Sequence, residues 1–185
     1  MADSNQAFDI ALQDAVQLHA SGGVDQAIGI YHNLLDEYPD QPDLWHLLGV
    51  AAHQKDDNSL AVELITVALS IKKDVADYHN NLGMALRGLG QEEAAEHSFR
   101  SAVALNPRHP RALSNLASAC RHAGDIASGL YYARQAIAIG GSDSEAFNNL
   151  GNAEKDAGLV SDSLVSYQRA IELDPDFALA HWNFS

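Results

Sequence analysis

The 185-residue sequence is poor in cysteine, in basic residues and in long apolar runs, and each shortage excludes a class of protein. Cys120 is the only cysteine, so the chain can form neither an internal disulfide nor a cysteine cluster for zinc. No apolar run approaches the roughly 18 residues that a membrane-spanning helix needs, so we expect no membrane span. Residues 1–6 lack the basic and apolar regions of a secretory signal, which favours a cytoplasmic protein.

Basic residues are outnumbered, because 11 Lys and Arg stand against 25 Asp and Glu, a net charge of −14. This balance argues against nucleic acid and against an anionic membrane surface as partners. Residues 1–75 hold twelve acids and three bases, residues 76–143 six of each, and residues 144–185 seven acids and two bases. The middle of the chain is therefore the part least repulsive to an acidic ligand.

What the sequence does contain is a repeat of 34 residues. A small residue recurs at one position of the repeat: Ala15, Gly49, Gly83, Ala117, Gly151 and Ser185. A second row follows nineteen residues after each of the first five: Leu34, Ala68, Ala102, Ala136 and Ala170. A fixed period of this length predicts a solenoid, in which one unit of helices packs on copies of itself.

Each repeat reads as a pair of helices. In residues 76–109 the apolar residues fall at helical spacing on both sides of a break at residues 88–90, and Asn106 and Pro107 end the second run. Pro42 and Pro110 fit the first turn of a helix, where the missing N–H costs nothing. The turn between the helices carries one residue per repeat at the same position: Gly22, Asp56, Gly90, Gly124 and Gly158.

The pattern resembles the tetratricopeptide repeat family. The family pattern is an aromatic residue and Leu-Gly in the first helix, followed by Ala, an aromatic, Ala and a closing Pro. Three repeats match most of it: the second has Trp45, Leu48-Gly49, Ala61 and Ala68; the third has Leu82-Gly83, Ala95, Phe99, Ala102 and Pro107; the fifth has Phe147, Leu150-Gly151, Tyr167, Ala170 and Pro175. The resemblance covers residues 8–185. It implies an all-α, right-handed α-solenoid of stacked antiparallel helix pairs, with the first helix of each pair on the concave face.

The repeats divide the chain into segments. A lead-in over residues 1–7 precedes a capping first repeat, whose Asp14 and Gln17 give it a polar face. The fourth repeat is degenerate, because it has Gly129 and Ala133 at family positions for Ala and an aromatic, and ends in Gly140-Gly141. The predicted repeats are residues 8–41, 42–75, 76–109, 110–143 and 144–177, and residues 178–185 begin a sixth that is cut short. We interpret the chain as the N-terminal fragment of a longer protein.

Catalytic and metal-binding patterns are lacking. The sequence has no phosphate-binding loop, no His-Glu-x-x-His motif and no spacing of Ser, His and Asp that is typical of a catalytic triad. We therefore expect this chain to have no enzyme activity and to bind no cofactor. His46 and His53 are seven residues apart, too far to share one ion, and are expected to be surface or groove histidines. Cys120 lies at an apolar position and is expected to be a buried, unreactive thiol.

Two rows of polar residues on the first helices are the candidate binding site. The amide row is Asn81, Asn115, Asn149 and Asn183. The basic row, six residues further on, is His53, Arg87, Arg121 and Lys155. Side-chain amides donate and accept hydrogen bonds at once, which matches the alternating N–H and C=O groups of an extended peptide. The basic row would attract acidic side chains or a C-terminus, although exposed bases near a helix end also favour solubility.

We therefore expect a scaffold or substrate-recruiting module that binds a peptide or partner protein on its concave face. An alternative is the substrate-recognition region of a larger glycosyltransferase, since residues 149–155 and 174–183 resemble the repeat region of O-linked N-acetylglucosamine transferases. A third alternative is a scaffold that self-associates through its C-terminal end, where Trp182 and Phe184 have no following helix to cover them.

Overall fold

The computed structural model describes the backbone of residues 2–140 and 143–185, and the side chains of residues 6–140 and 143–185. Within these ranges the chain forms eleven α-helices and no strand. Gly141, part of the Gly-Gly ending predicted for the fourth repeat, lies outside the described residues. None of the helices in the described part combines the length and the apolar character needed to cross a membrane.

The contacts divide the chain into two compact units, of which the first is Met1–Gly90. Its helices are α1 (Ala2–Ala20), α2 (Val24–Glu37), α3 (Pro42–Gln54), α4 (Asn58–Ile71) and α5 (Ala76–Gly88). Two of the predicted helix pairs are present, because α1 packs on α2 and α3 packs on α4. In addition, α5 packs on α4 and touches α3, so first helices of successive repeats lie side by side.

The second unit is Gln91–Ser185. Its helices are α6 (Glu92–Leu105), α7 (Pro110–His122), α8 (Ile126–Ala138), α9 (Ser144–Asp156), α10 (Val160–Leu173) and α11 (Ala178–Phe184). The predicted pairs α7 with α8 and α9 with α10 are present, and α7, α9 and α11 make direct contacts in that order. We call α1, α3 and α5 in one unit, and α7, α9 and α11 in the other, the first helices.

The helix ends follow local sequence rules. Pro42 and Pro110 begin α3 and α7, as predicted. The carboxylate of Asp125 accepts a hydrogen bond from the backbone N–H of Ser128 at 3.1 Å, and Asp57 and Asp143 cap α4 and α9 in the same way. Each cap satisfies one of the backbone donors that a helix leaves free at its start.

The turn within each repeat requires a left-handed backbone. Four of its five members are glycines with φ between 72° and 93°, and the fifth, Asp56, has φ 62°. Only glycine adopts this conformation without steric cost, although aspartate tolerates it better than most residues. The positions singled out in the sequence are therefore the positions where the chain reverses between the helices of a pair.

The small residues mark the closest approach of paired helices. A Cβ added to Gly49 would lie 2.5 Å from Cγ1 of Ile65 and 3.2 Å from the carbonyl oxygen of Ala61. A Cβ on Gly151 would lie 2.5 Å from the ring of Tyr167. The second row is buried as well, with Ala68 and Ala170 at zero exposure. Small residues thus allow α3 and α9 to pack closely on α4 and α10.

Candidate functional site

Polar side chains join the first helices of successive repeats. Among the side chains that the structure describes, several hydrogen bonds connect residues that are 35 positions apart, one more than the repeat period. The pairs are His19 with Gln54, Asp43 with Tyr78, His46 with Asn81, Ser114 with Asn149, Asn148 with Asn183 and Arg121 with Asp156. The face of each first helix is therefore bonded to the next one within the same unit.

In the first unit the amide row is represented by Asn81, which lies on α5. Its Nδ2 is 2.8 Å from Nε2 of His46 on α3, and its Oδ1 accepts a hydrogen bond of 3.1 Å from the neighbouring Asn80. The ring of Tyr78 stacks on that of His46 with centroids 4.5 Å apart. The Tyr78 hydroxyl donates to the carboxylate of Asp43. These five side chains form a continuous polar network between α3 and α5.

Burial keeps His46 uncharged near neutral pH. Burial lowers the pKa of His46 from 6.5 to about 4, although the nearby carboxylates of Asp77 and Asp43 oppose that shift. A neutral imidazole with its proton on Nδ1 can accept the Asn81 N–H at Nε2, whereas an imidazolium could not. Burial, followed by the bond to Asp43, also raises the pKa of Tyr78 above its usual value. His46 is thus a partly buried side chain that bonds Asn81 between α3 and α5.

In the second unit the amide row follows three adjacent first helices. The Nδ2 of Asn149 donates to Oγ of Ser114 at 2.9 Å, which joins α9 to α7. The Nδ2 of Asn183 donates to Oδ1 of Asn148 at 2.9 Å, which joins α11 to α9. Asn115 is buried, whereas Asn149 and Asn183 are partly exposed. The structure therefore gives the amides a bonding role between repeats that the sequence did not predict.

The basic row is less uniform than its sequence pattern. His53 uses Nδ1 to bond Oδ1 of Asn58 at 2.5 Å, and Arg87 is partly buried at the end of α5. Arg121 places both Nε and Nη2 at 2.7 Å from Oδ2 of Asp156. Only 14% of the Arg121 side chain is exposed. Lys155 is exposed on α9, so it is the member of the row most accessible to an acidic ligand.

A buried carboxylate in the second unit was also missed. Glu154 is 5% exposed, at a repeat position held elsewhere by Leu18, Ala52, Leu86 and Cys120. It accepts a hydrogen bond of 2.7 Å from Oγ of Ser166 on α10, and Nη2 of Arg134 lies 3.8 Å away. A buried carboxylate needs such donors. The sequence could have indicated this site, because Glu154 is the one charged residue at a repeat position that is otherwise apolar.

Cys120 is completely buried, as predicted, and burial raises the pKa of its thiol. Nη2 of Arg100 lies 3.7 Å from its Sγ. Among the side chains that the structure describes, no three His, Cys, Asp or Glu residues come together in a way that could hold a metal ion.

Sequence profiles of two repeat families match the chain. The profile described as tetratricopeptide repeat matches residues 7–76 and 80–144, and the one described as TPR repeat matches residues 151–184. These matches cover most of the chain and agree with the resemblance noted in the sequence. No curated protein sequence matches the chain.

Solved structures share the fold. TTC0263, a thermophilic TPR protein of Thermus thermophilus, is 20% identical, with a TM-score of 0.77 and 96% of each chain covered. YrrB, a TPR protein with an unusual peptide-binding site, is 20% identical, with a TM-score of 0.68 over 93% of this chain and 89% of its own. The APC/C hetero-tetramer Cut9-Hcn1 gives a TM-score of 0.87 at 15% identity, over 96% of this chain and 35% of the matched one.

These likenesses confirm the predicted all-α solenoid class built from helix pairs. The three structures are less than 25% identical, so they carry the fold and nothing finer. The two profiles and these three structures do not support the resemblance to glycosyltransferases, which stays a prediction about a longer protein. The cytoplasmic location also stays a prediction.

Proposed function

Because this chain belongs to the tetratricopeptide repeat family, we propose that it is a protein-interaction module that binds an extended peptide across the first helices of its second unit. Solenoids of this kind present broad surfaces for binding. The observation that carries the proposal is the amide row of the second unit, where Asn149 and Asn183 are partly exposed on adjacent helices. The proposed binding involves no chemical change in the ligand.

The bonds between repeats suit the amides to this task. Each bond from Asn149 or Asn183 uses one N–H of the side chain. A side-chain amide has a second N–H and a carbonyl oxygen with two lone pairs. Those groups are not used in the bond to the neighbouring repeat and can pair with a peptide backbone. Because the bond already orients the amide plane, binding loses less side-chain freedom.

The spacing of the first helices matches a short extended segment. Packed helices lie about 8–10 Å apart, so α7, α9 and α11 together span about 20 Å. An extended chain covers that distance with about six residues. Each amide–backbone bond adds about 0.5–1.5 kcal/mol net, so two or three of them give weak binding that tolerates many side chains.

The basic row has a smaller part in the proposal. Arg121 already shares its charge with Asp156, so an acidic ligand must compete with that ion pair. Lys155 is exposed and offers an ammonium group on the same helix as Asn149. We therefore propose Lys155, and not Arg121, as the main contact of the row with an acidic side chain or a C-terminus.

Affinity measurements on a matched pair of variants test the proposal. Asn149→Ala removes both the bond to Ser114 and the amide, whereas Ser114→Ala removes the same bond and keeps the amide. The probe is a capped peptide of about ten residues that alternates Ser and Thr. We expect Asn149→Ala to weaken its binding severalfold more than Ser114→Ala. Equal effects of the two variants would mean that the amide contributes only to folding.

A further inference from the structure

On the side where Asn81 lies, the first helices of the first unit carry a surface whose chemistry differs from that of the amide row in the second unit. Val16, Val50 and Met84 occupy equivalent positions on α1, α3 and α5, and each follows an aspartate by seven residues. Seven residues are two helical turns, so each aspartate and its apolar partner lie on the same face of a helix. We call this surface the acidic–aliphatic face; its aspartates are Asp9, Asp43 and Asp77.

The residues of this face are accessible. Val16 is 40% exposed, and Val50 and Met84 are partly exposed. The three aspartates are exposed as well. Apolar side chains open to solvent along adjacent helices form a surface that gains free energy when another apolar surface covers it.

Contacts between helices hold the face together. The Tyr78 hydroxyl bonds Asp43, and Asn81 bonds His46, so α3 and α5 are joined by side chains of this region. The carboxylates of Asp43 and Asp77 both act on the His46 imidazole, which places the two charges around one ring. His19 bonds Gln54 at 2.8 Å and joins α1 to α3 in the same way.

The charge around this face has one sign. The unit Met1–Gly90 holds thirteen acidic and four basic residues. Helices α1 and α3 contain no Lys or Arg, and α5 contains only Arg87, in its last turn. Of the other bases, Lys55 is paired with Asp25, and Lys72 and Lys73 follow the end of α4. A surface of this kind attracts cations and repels anions.

We propose that the acidic–aliphatic face binds a basic, aliphatic segment of a partner protein, with lysine or arginine side chains against its aspartates and aliphatic side chains against its valines and methionine. The inference rests on the part of the proposed function that makes the first helices a protein-binding surface, and it does not depend on the amide row of the second unit. Charge complementarity selects this partner over an acidic peptide or a nucleic acid, both of which the aspartates would repel.

Met84 provides a direct probe of binding. The chain has two methionines, Met1 and Met84, so a sample labelled with ¹³C at the methionine methyls gives one signal from this face. Three capped peptides of about ten residues serve as ligands: one alternates Lys and Val, one alternates Glu and Val, and one alternates Ser and Thr. We expect titration of the Met84 signal to show at least tenfold tighter binding of the Lys–Val peptide than of the Glu–Val peptide.

Two variants with equal changes of charge test the role of the aspartates. The first is Asp9→Asn, Asp43→Asn and Asp77→Asn, in which the amide oxygen that replaces the Asp43 carboxylate can still accept the Tyr78 hydroxyl. The control is Asp36→Asn, Glu37→Gln and Glu63→Gln, which neutralises three exposed carboxylates on α2 and α4. Loss of three exposed ion pairs should weaken Lys–Val binding about tenfold in the first variant. The control should change it less than about threefold, because its carboxylates lie off the face.

The outcomes separate this inference from the proposed function. Equal Met84 responses to the Lys–Val and Glu–Val peptides, or equal losses in the two variants, would overturn the acidic–aliphatic face as a site for basic segments. The Ser–Thr peptide reports on the proposed function through the side-chain amide signal of Asn149. If that signal fails to move while the Met84 response follows the aspartates, the amide-row proposal fails and the present inference stands.

Discussion

Nδ2 of Asn81 lies 2.8 Å from Nε2 of His46, a residue 35 positions earlier in the chain. The contact requires a neutral imidazole, because an imidazolium has no lone pair to accept the amide N–H. The bond of Asn81 is thus linked to the protonation state of one histidine in the first unit. This relationship gives the first prediction.

We predict that acid weakens the first unit through His46. Its pKa is lowered from 6.5 to about 4 in the folded chain, so between these values the unfolded chain binds the additional proton. The contribution of His46 to stability is therefore complete above about pH 6.5 and is lost as the pH falls towards 4. An NMR titration of the His46 ring should give a midpoint well below that of a free histidine.

His46→Leu is the control, because it removes the titrating group and should reduce the dependence of the free energy of unfolding on pH between 4 and 6.5. A His46 midpoint near 6.5, or an unchanged pH dependence in the variant, would contradict the network described for α3 and α5.

A second prediction concerns the close approach of paired helices. Gly151→Ala would place a Cβ 2.5 Å from the Tyr167 ring, and we expect it to cost about 1–3 kcal/mol of the free energy of unfolding. Gly29, inside α2, has no atom within 4 Å of an added Cβ. Gly29→Ala should therefore stabilise the chain, by about 0.5–1 kcal/mol. Urea unfolding measures both, and equal effects would refute the packing role of the small residues.

A third prediction concerns the turn residue of the second repeat. Asp56 has φ 62°, where the other repeats place glycine. Asp56→Gly should relieve backbone strain and raise the free energy of unfolding by up to about 1 kcal/mol, since the greater freedom of the unfolded chain offsets part of the gain. Gly124→Ala, at φ 84°, should have the opposite sign. A loss of stability in Asp56→Gly would mean that its side chain contributes more than its backbone costs.

A fourth prediction concerns self-association. Trp182 is 79% exposed and Leu179 is 61% exposed on α11, and large exposed apolar side chains favour contacts between copies. We predict that sedimentation velocity shows association that rises with concentration and falls in Trp182→Ser. Val165→Ser, at a position 69% exposed on α10, is the matched control. Monomers at every concentration, or an equal response to the control, would exclude α11 as the contact.

The sequence predicted the features that depend on local chemistry. Turn positions such as Gly124 can be recognised because the chain reversal there uses a left-handed backbone, and that conformation favours glycine. Close-approach positions such as Gly49 and Gly151 recur because a larger residue would clash with the paired helix. Both constraints act within one repeat, so they appear directly in the 34-residue period.

The contacts between repeats were harder to predict. Asn149 and Ser114 are 35 positions apart, because neighbouring first helices meet with a one-residue offset that depends on how the helices pack side by side. Glu154 was missed for a related reason, since its partner Ser166 lies on the next helix at a position with no charged counterpart. Comparing positions 34 residues apart therefore identified the amides of the row, but not the side chains that they bond, which lie 35 positions away.

The most direct test of the peptide-binding proposal is a ¹⁵N NMR titration that follows the side-chain amides of asparagine. On addition of the Ser–Thr peptide, the Nδ2 signals of Asn149 and Asn183 should move together with a single dissociation constant. The signals of Asn33 and Asn106, which are exposed on α2 and at the end of α6, should stay in place. If Asn33 or Asn106 responds and the amide row does not, the first helices of the second unit are not the peptide-binding surface.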